Sequence, residues 1–221
     1  MEYNSLHVKK TDDLLKILST DLKSFKPLTA SKLRLLGMGV LVFTSAAFLL
    51  LLPLRENLTQ SFGDLRFWLN TLGWLIMATL SLNSFVKISA TDKSPKIEVL
   101  AISSLFAIMM FGYLFNFDST QLKQQFILEL DWYVGRCGPI ILITSTLCSL
   151  GFAYLTKTKL APFEPLKTAF WIGLTSGTCS TFLMQFVCAH ENFLHVLIWH
   201  VFPLSIFCGL SAFLGQKFYR W

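Results

Sequence analysis

The stretch Leu35–Leu54 reads LLGMGVLVFTSAAFLLLLPL and holds no Lys, Arg, Asp or Glu in 20 residues. At 1.5 Å rise per residue, a helix of that length covers about 30 Å, the thickness of a bilayer's hydrocarbon core. Five more charge-free blocks follow, at Phe67–Val86, Val99–Phe117, Cys137–Leu155, Ala169–Cys188 and Phe193–Leu214. Strands of a membrane barrel would be half as long and would alternate apolar with polar residues. The pattern therefore predicts an all-α, polytopic membrane protein with a six-helix bundle.

Composition agrees. Of 221 residues, 53% are hydrophobic and 14% charged, against about a quarter charged in a soluble domain. Mean hydropathy is +0.56. The net charge of +6 could suggest nucleic acid. The basic residues, however, flank apolar blocks and are not interleaved with aromatics, so no direct nucleic-acid contact is expected. More than 30 polar or mixed residues precede the first block with no A-x-A-like site after it, so no cleavable signal peptide is expected.

Lys and Arg set the orientation. The N-terminal tail, the second and fourth loops and the C-terminal tail hold 15 of them, from Lys9 to Arg220. The opposite loops hold 4, namely Arg55, Arg66, Lys123 and Arg136. The positive-inside rule then places both termini in the cytoplasm. Trp68, Trp132, Tyr133, Trp171, Tyr219 and Trp221 fall near span ends, as an interfacial aromatic belt would. The expected divisions are a cytoplasmic segment 1–34, a membrane domain 35–214 and a cytoplasmic tail 215–221.

Residues 11–26, TDDLLKILSTDLKSFK, place Leu14, Leu15, Leu18, Leu22 and Phe25 at helical spacing, with charges mostly elsewhere on the wheel. Thr11 or Asp12 can cap the start, and Pro27 ends the run. A helix of about four turns is marginal alone in water, so its stripe needs a surface. That surface can be a groove on a soluble partner, the bilayer or the protein's own loops.

Cys137 and Cys188 sit at the outer ends of the fourth and fifth spans, at nearly equal height. Cys137, Ile141, Thr144, Cys148 and Gly151 form one stripe; Gly173, Gly177, Thr181, Gln185 and Cys188 form another. The small residues Gly173, Gly177 and Thr181 allow close helix approach. If the two stripes face each other, the outer cysteines come within disulfide range; two unpaired thiols at helix ends is the alternative. Cys148, Cys179 and Cys208 lie at mid-depth and read as small buried hydrophobes. His190, His195 and His200 lie close beyond Cys188, and Cys with His can hold a thiophilic metal. The spacing matches no tight motif, because His200 lies five positions after His195, about 140° round an α-helix. Interfacial hydrogen bonds for His190 and His195, and a carbonyl freed by Pro203 for His200, are the plainer expectations.

No span holds a formal charge of the kind ion-coupled transporters use. No P-loop, H-E-x-x-H or G-x-S-x-G occurs. An enzyme passing electrons from Cys137 and Cys188 to a quinone would call for a second reactive pair, and a small transporter would call for midplane charge. The sequence shows neither, and nothing in it sets an oligomeric state.

Thr11-Asp12-Asp13-Leu14-Leu15, Asp21-Leu22 and Pro27-Leu28 lead into the first span. Gly135-Arg136-Cys137 and Cys188-Ala189-His190-Glu191 frame the outer cysteines, and Trp199-His200-Val201-Phe202-Pro203, Gly209, Gly215 and Tyr219-Arg220-Trp221 close the chain. In this order and spacing the sequence resembles the NrsF family, negative regulators of sigma F, which are six-span anti-sigma factors of the bacterial inner membrane. The resemblance implies a non-enzymatic protein whose N-terminal segment sequesters a cytoplasmic extracytoplasmic-function (ECF) sigma factor. Asp21, Leu22 and Pro27 would belong to that segment. It also implies that Cys137 and Cys188 answer oxidative or heavy-metal stress, with no resident cofactor but transient binding of a metal such as zinc or cadmium. Where that family often has Pro after the second cysteine, this chain has Ala189 and His190.

Overall fold

The computed structural model describes residues 28–91, 93–115, 134–160, 164–190 and 192–218. Among them there is no strand. The long helices are α1 (Ala30–Leu51), α2 (Leu65–Thr91), α3 (Lys96–Phe115), α4 (Cys137–Lys159) and α5 (Pro165–Val187). The last, α6, begins as Phe193–His195, widens into a π-helical stretch at Val196–Val201 and continues as Phe202–Phe218. The expected amphipathic helix at 11–26, with Leu14, Leu15, Leu18, Asp21, Leu22, Phe25 and Pro27, lies outside the described residues. So do Trp132, Tyr133, Tyr219 and Trp221.

Prolines mark the ends. Leu52 is extended (φ −97°, ψ 140°), as the residue before a proline tends to be, and Pro53 stops α1. Pro165 opens α5 at a position where its missing N–H costs nothing. α2 runs past the expected boundary to Thr91 and carries Lys87, whose ammonium pairs with Glu98 in the first turn of α3.

Among the described residues, five helices (α1, α2, α3, α4 and α6) are long and apolar enough to cross a membrane. α5 is not among them, although its 23 residues span about 34 Å. The reason is position. α5 packs most extensively on α6 and α2, then on α4, with a smaller edge on α1. Enclosed by protein, it needs small side chains rather than lipid-facing ones, and Thr175, Ser176, Thr178, Ser180, Thr181 and Gln185 are all buried. Most of these hydroxyls fold back on their own helix: Thr175 donates to the Trp171 carbonyl at 2.7 Å, Thr178 to Leu174 at 2.7 Å and Thr181 to Gly177 at 3.0 Å. Ser145 of α4 reaches across to Ser180 at 3.0 Å. The outer helices show the reverse pattern. Leu35, Phe43 and Leu50 on α1, Leu100 and Ile108 on α3, and Phe213 on α6 are exposed. In water this surface would aggregate; against lipid tails it carries no penalty.

The glycine stripe of α5 faces α6, not α4. A Cβ at Gly173 would lie 2.8 Å from the Ser211 Cβ and 3.2 Å from the Cys208 Cα, and one at Gly177 would meet Leu204. Helical periodicity puts Gly173 and Gly177 on one stripe but does not say which neighbour they meet. Trp171 is buried in the bundle, so it packs rather than joining a belt. Trp68 stays partly exposed and donates its indole N–H to the Phe62 carbonyl at 2.9 Å.

Because the Cys208 backbone lies under Gly173, Gly173→Leu forces α5 and α6 apart and should cost about 1–3 kcal/mol. Gly39→Ala, with nothing within 4 Å, should stay within about 0.5 kcal/mol. Thermal unfolding of both variants in detergent tests this; equal midpoints would remove the close packing from the account.

Candidate functional site

At one end of the bundle, three chain segments bring four donors together. The Sγ atoms of Cys137 and Cys188 and a ring nitrogen from each of His195 and His200 all lie within 4.8 Å of one another. All four side chains are buried, His195 and His200 almost completely.

Each donor is placed by a local feature. A 3-10 turn at Val134–Arg136 leads directly into α4 and puts Cys137 at its first residue. Cys188 is the first extended residue after α5 (φ −88°, ψ 127°), its N–H still bonded to the Met184 carbonyl at 2.8 Å. Asn192 caps the next helix, its side chain accepting the His195 N–H at 2.7 Å. His195 then turns Nε2 to the Cys188 Sγ at 3.2 Å.

His200 joins through the π-helical stretch. In an α-helix it would sit about 140° from His195. The π-turn bonds residues five apart, as Phe202 N–H to the Leu197 carbonyl shows, and this returns His200 to the face of His195. Their ring centroids lie 5.3 Å apart at 77°. Pro203 accounts for the widening, since it cannot donate to the Trp199 carbonyl and its ring crowds that oxygen. His200 does not bond a freed carbonyl: neither ring nitrogen has a hydrogen-bond partner, although both are buried. His190 stays outside the cluster, exposed, its ring 5.1 Å from that of His195.

Two further residues shape the site without offering ligands. Trp199 lies flat against the start of α4, where a Cβ at Gly135 would come 2.5 Å from the indole and one at Gly138 2.9 Å. Glycine is required there by close approach. With Ile141 and Met184 the indole makes an apolar wall beside the thiols. Arg55 is the second, a buried cation from the loop after α1. Its Nη1 donates to the Cys188 carbonyl at 3.1 Å and reaches that of Gln185 at 3.5 Å. Its own N–H bonds the Phe186 carbonyl at 3.0 Å. The guanidinium also donates to the Ser61 hydroxyl and lies 5.1 Å over the Phe67 ring. A cation at the C-terminal end of a helix is favoured by the macrodipole. Arg55 thereby fixes the backbone that carries Cys188. The sequence reading used Arg55 only as a topological charge; its place beside Pro53, at the end of a span, was the available signal.

The chemistry open to this group is that of soft donors. Cys137 and Cys188 are not joined in a disulfide. Thiolate character is what both metal binding and oxidation require. Two thiols with two imidazoles match a tetrahedral zinc-type donor set. Cys148, Cys179 and Cys208 remain buried within the bundle, Cys179 within 3.5 Å of the Ser45 hydroxyl.

The NrsF family model, described as negative regulator of sigma F, matches residues 18–221. No curated protein and no solved structure matches the chain. The family description carries negative regulation of a sigma factor, and so a sigma factor as partner; this is a regulatory class and not an enzyme class.

Arg55→Met should cost about 1.5–3 kcal/mol, the usual worth of a hydrogen bond to a charged group. It should also speed maleimide labelling of Cys188 in the folded protein by loosening its backbone. Arg55→Lys keeps the charge but not the planar fork and should recover only part of either effect. Unchanged labelling in Arg55→Met would mean that Arg55 does not position the thiol.

Proposed function

The chain belongs to the NrsF family of negative regulators of sigma F, and on that premise we propose that it is a transmembrane anti-sigma factor of the bacterial inner membrane. It holds an ECF sigma factor at the cytoplasmic face and releases it when Cys137 and Cys188 meet an oxidant or a heavy-metal ion. The observation that carries this reading is the match over nearly the whole chain, joined to a buried thiol pair at one end of the bundle.

In this reading residues 1–34 contact sigma through Leu14, Leu15, Leu18, Leu22 and Phe25, with Asp21 and Pro27 in the same segment. Residues 35–214 cross the membrane six times, α5 being the span enclosed by the others, and residues 215–221 form a cytoplasmic tail. The excess of Lys and Arg on one side supports cytoplasmic termini.

The packing offers a route between the two ends. Leu33, at the root of α1, is fully buried in a cluster with Phe85 and Val86 of α2, Phe152 of α4, and Ala169, Trp171 and Ile172 of α5. α4 and α5 carry Cys137 and Cys188 at their other ends. A change in how these two helices meet at the thiols therefore reaches the residue from which the 1–34 segment hangs. Release is a population shift, and the inducer drives it only by its difference in affinity for the two states.

Two measurements test this. Leu14→Asp with Leu18→Asp in the full-length protein should cut co-purified sigma factor at least tenfold and raise sigma-dependent transcription without inducer. Cys137→Ser and Cys188→Ser should abolish induction by cadmium or peroxide. Normal induction in both cysteine variants would end the sensing half of the reading, and undiminished sigma recovery in the leucine variant would end the sequestration half.

A further inference from the structure

We propose that Cys137, Cys188, His195 and His200 together form a four-ligand site for a thiophilic divalent cation of the Zn²⁺ or Cd²⁺ type. In treating the two thiols as the sensing pair this rests on the reading above; the ligand set itself stands on geometry.

Four observations converge. The donors already lie within 4.8 Å of one another, whereas a tetrahedron with metal–sulfur bonds of about 2.3 Å and metal–nitrogen bonds of about 2.0 Å has ligand separations of about 3.3–3.8 Å. A contraction of about 1 Å, within reach of small side-chain rotations, closes the site. Second, His200 is 1% exposed and both its ring nitrogens lack a hydrogen-bond partner. Buried polar groups are rarely left so, and coordination would satisfy one nitrogen. Third, the π-turn serves to bring His200 round to His195, and such turns cluster at functional sites. A disulfide between Cys137 and Cys188 needs neither histidine and leaves both the turn and His200 without a purpose. Fourth, the charge balances. Two thiolates, two neutral imidazoles and one divalent cation sum to zero, so the bound ion adds no net charge beside the buried Arg55. Binding replaces two S–H bonds with two metal–sulfur bonds and releases two protons to solvent.

The ligands come from the start of α4, the residue after α5 and the start of α6. The cation would therefore tie three helix ends together at the point that Arg55 holds from the fourth side.

Cobalt is the probe. Full-length protein, reduced and purified in detergent, should bind one Co²⁺ per chain with a thiolate-to-cobalt charge-transfer band and the intense d–d bands of four-coordinate cobalt. Zn²⁺ and Cd²⁺ should displace it. His200→Gln should weaken binding at least about tenfold, an effect seen even for outer-shell partners, and shift the d–d bands; His195→Gln should do the same. Cys148→Ser should change neither. Zn²⁺ should raise the unfolding midpoint of the wild type and not of the histidine variants, which separates loss of binding from loss of fold. A wild-type protein without the thiolate band, or His200→Gln with wild-type affinity and spectrum, overturns the site. If cobalt fails to bind while Cys137→Ser still blinds the reporter, the ligand set falls and the sensing reading stands. If cobalt binds as described and the reporter is indifferent to both thiols, the site stands and the sensing reading falls.

Discussion

Much of the molecule follows from one constraint: most of α5 between Thr168 and Gln185 is buried among other helices. A helix in that position cannot use large apolar side chains around its whole circumference, because four neighbours have to approach it. It carries glycine toward α6 and hydroxyl residues elsewhere, and its hydropathy falls below that of the helices that shield it. Hydrogen bonding between helices adds little, since an interhelical bond such as Ser145 to Ser180 averages about 0.6 kcal/mol in a membrane. Close steric fit does the holding. Such a packed rod has few intermediate positions, so a change at one end is met by a shift of the whole element or by none.

The end of that rod is where the unusual chemistry lies. Past Val187 the α5 backbone turns extended, and its last carbonyls need donors. Arg55 supplies them from another loop and is itself desolvated in doing so. The same turn presents the Cys188 thiol to Cys137 and His195. Stability and chemistry therefore share an atom set: the carbonyl that Arg55 bonds and the sulfur that His195 meets belong to one residue. A ligand that pulls on the sulfur also loads the Arg55 clamp.

How much of this the sequence revealed depends on which physical signal a feature leaves. Lipid exposure leaves a strong one. The charge-free blocks of α1, α2, α3, α4 and α6 coincide with helices long and apolar enough to span a membrane. α5 was visible as a charge-free block, but its central place was not, because hydroxyl content does not say what surrounds a helix. The outer thiols were legible as a pair, since span lengths alone put Cys137 and Cys188 at one height. His195 and His200 were not, because the periodicity argument assumes 100° per residue throughout and the π-turn breaks that assumption. Pro203 was the trace of it, and it was read as freeing a carbonyl for His200. The stripe of Gly173 and Gly177 meets α6, a neighbour that helical periodicity does not specify. Arg55 left only its charge and its place just after Pro53 at a span end, neither of which says that it turns inward to the Cys188 carbonyl. The amphipathic stripe from Leu14 to Phe25 lies outside the described residues, and its reading rests on sequence and family.

On the proposed reading, a sensing end and an effector end lie at opposite ends of α4 and α5, and this raises a question of energy rather than distance. Moving a two-state equilibrium from about 1:99 to 99:1 needs a ligand that prefers one state by about 5.5 kcal/mol. Hydrogen-bond changes at an exposed surface cannot supply that, at about 1 kcal/mol each. A zinc-type site can, since apparent binding free energies for structural zinc reach about 10–16 kcal/mol. Even if half of that were spent equally on both states, the remainder would suffice. This favours an input that forms strong bonds at the joint of α4, α5 and α6 over one that merely contacts it. The same comparison favours a buried site. Cys137, Cys188, His195 and His200 are all buried, and Cys137 and Cys188 lie at the ends of α4 and α5, the helices that also pack around Leu33.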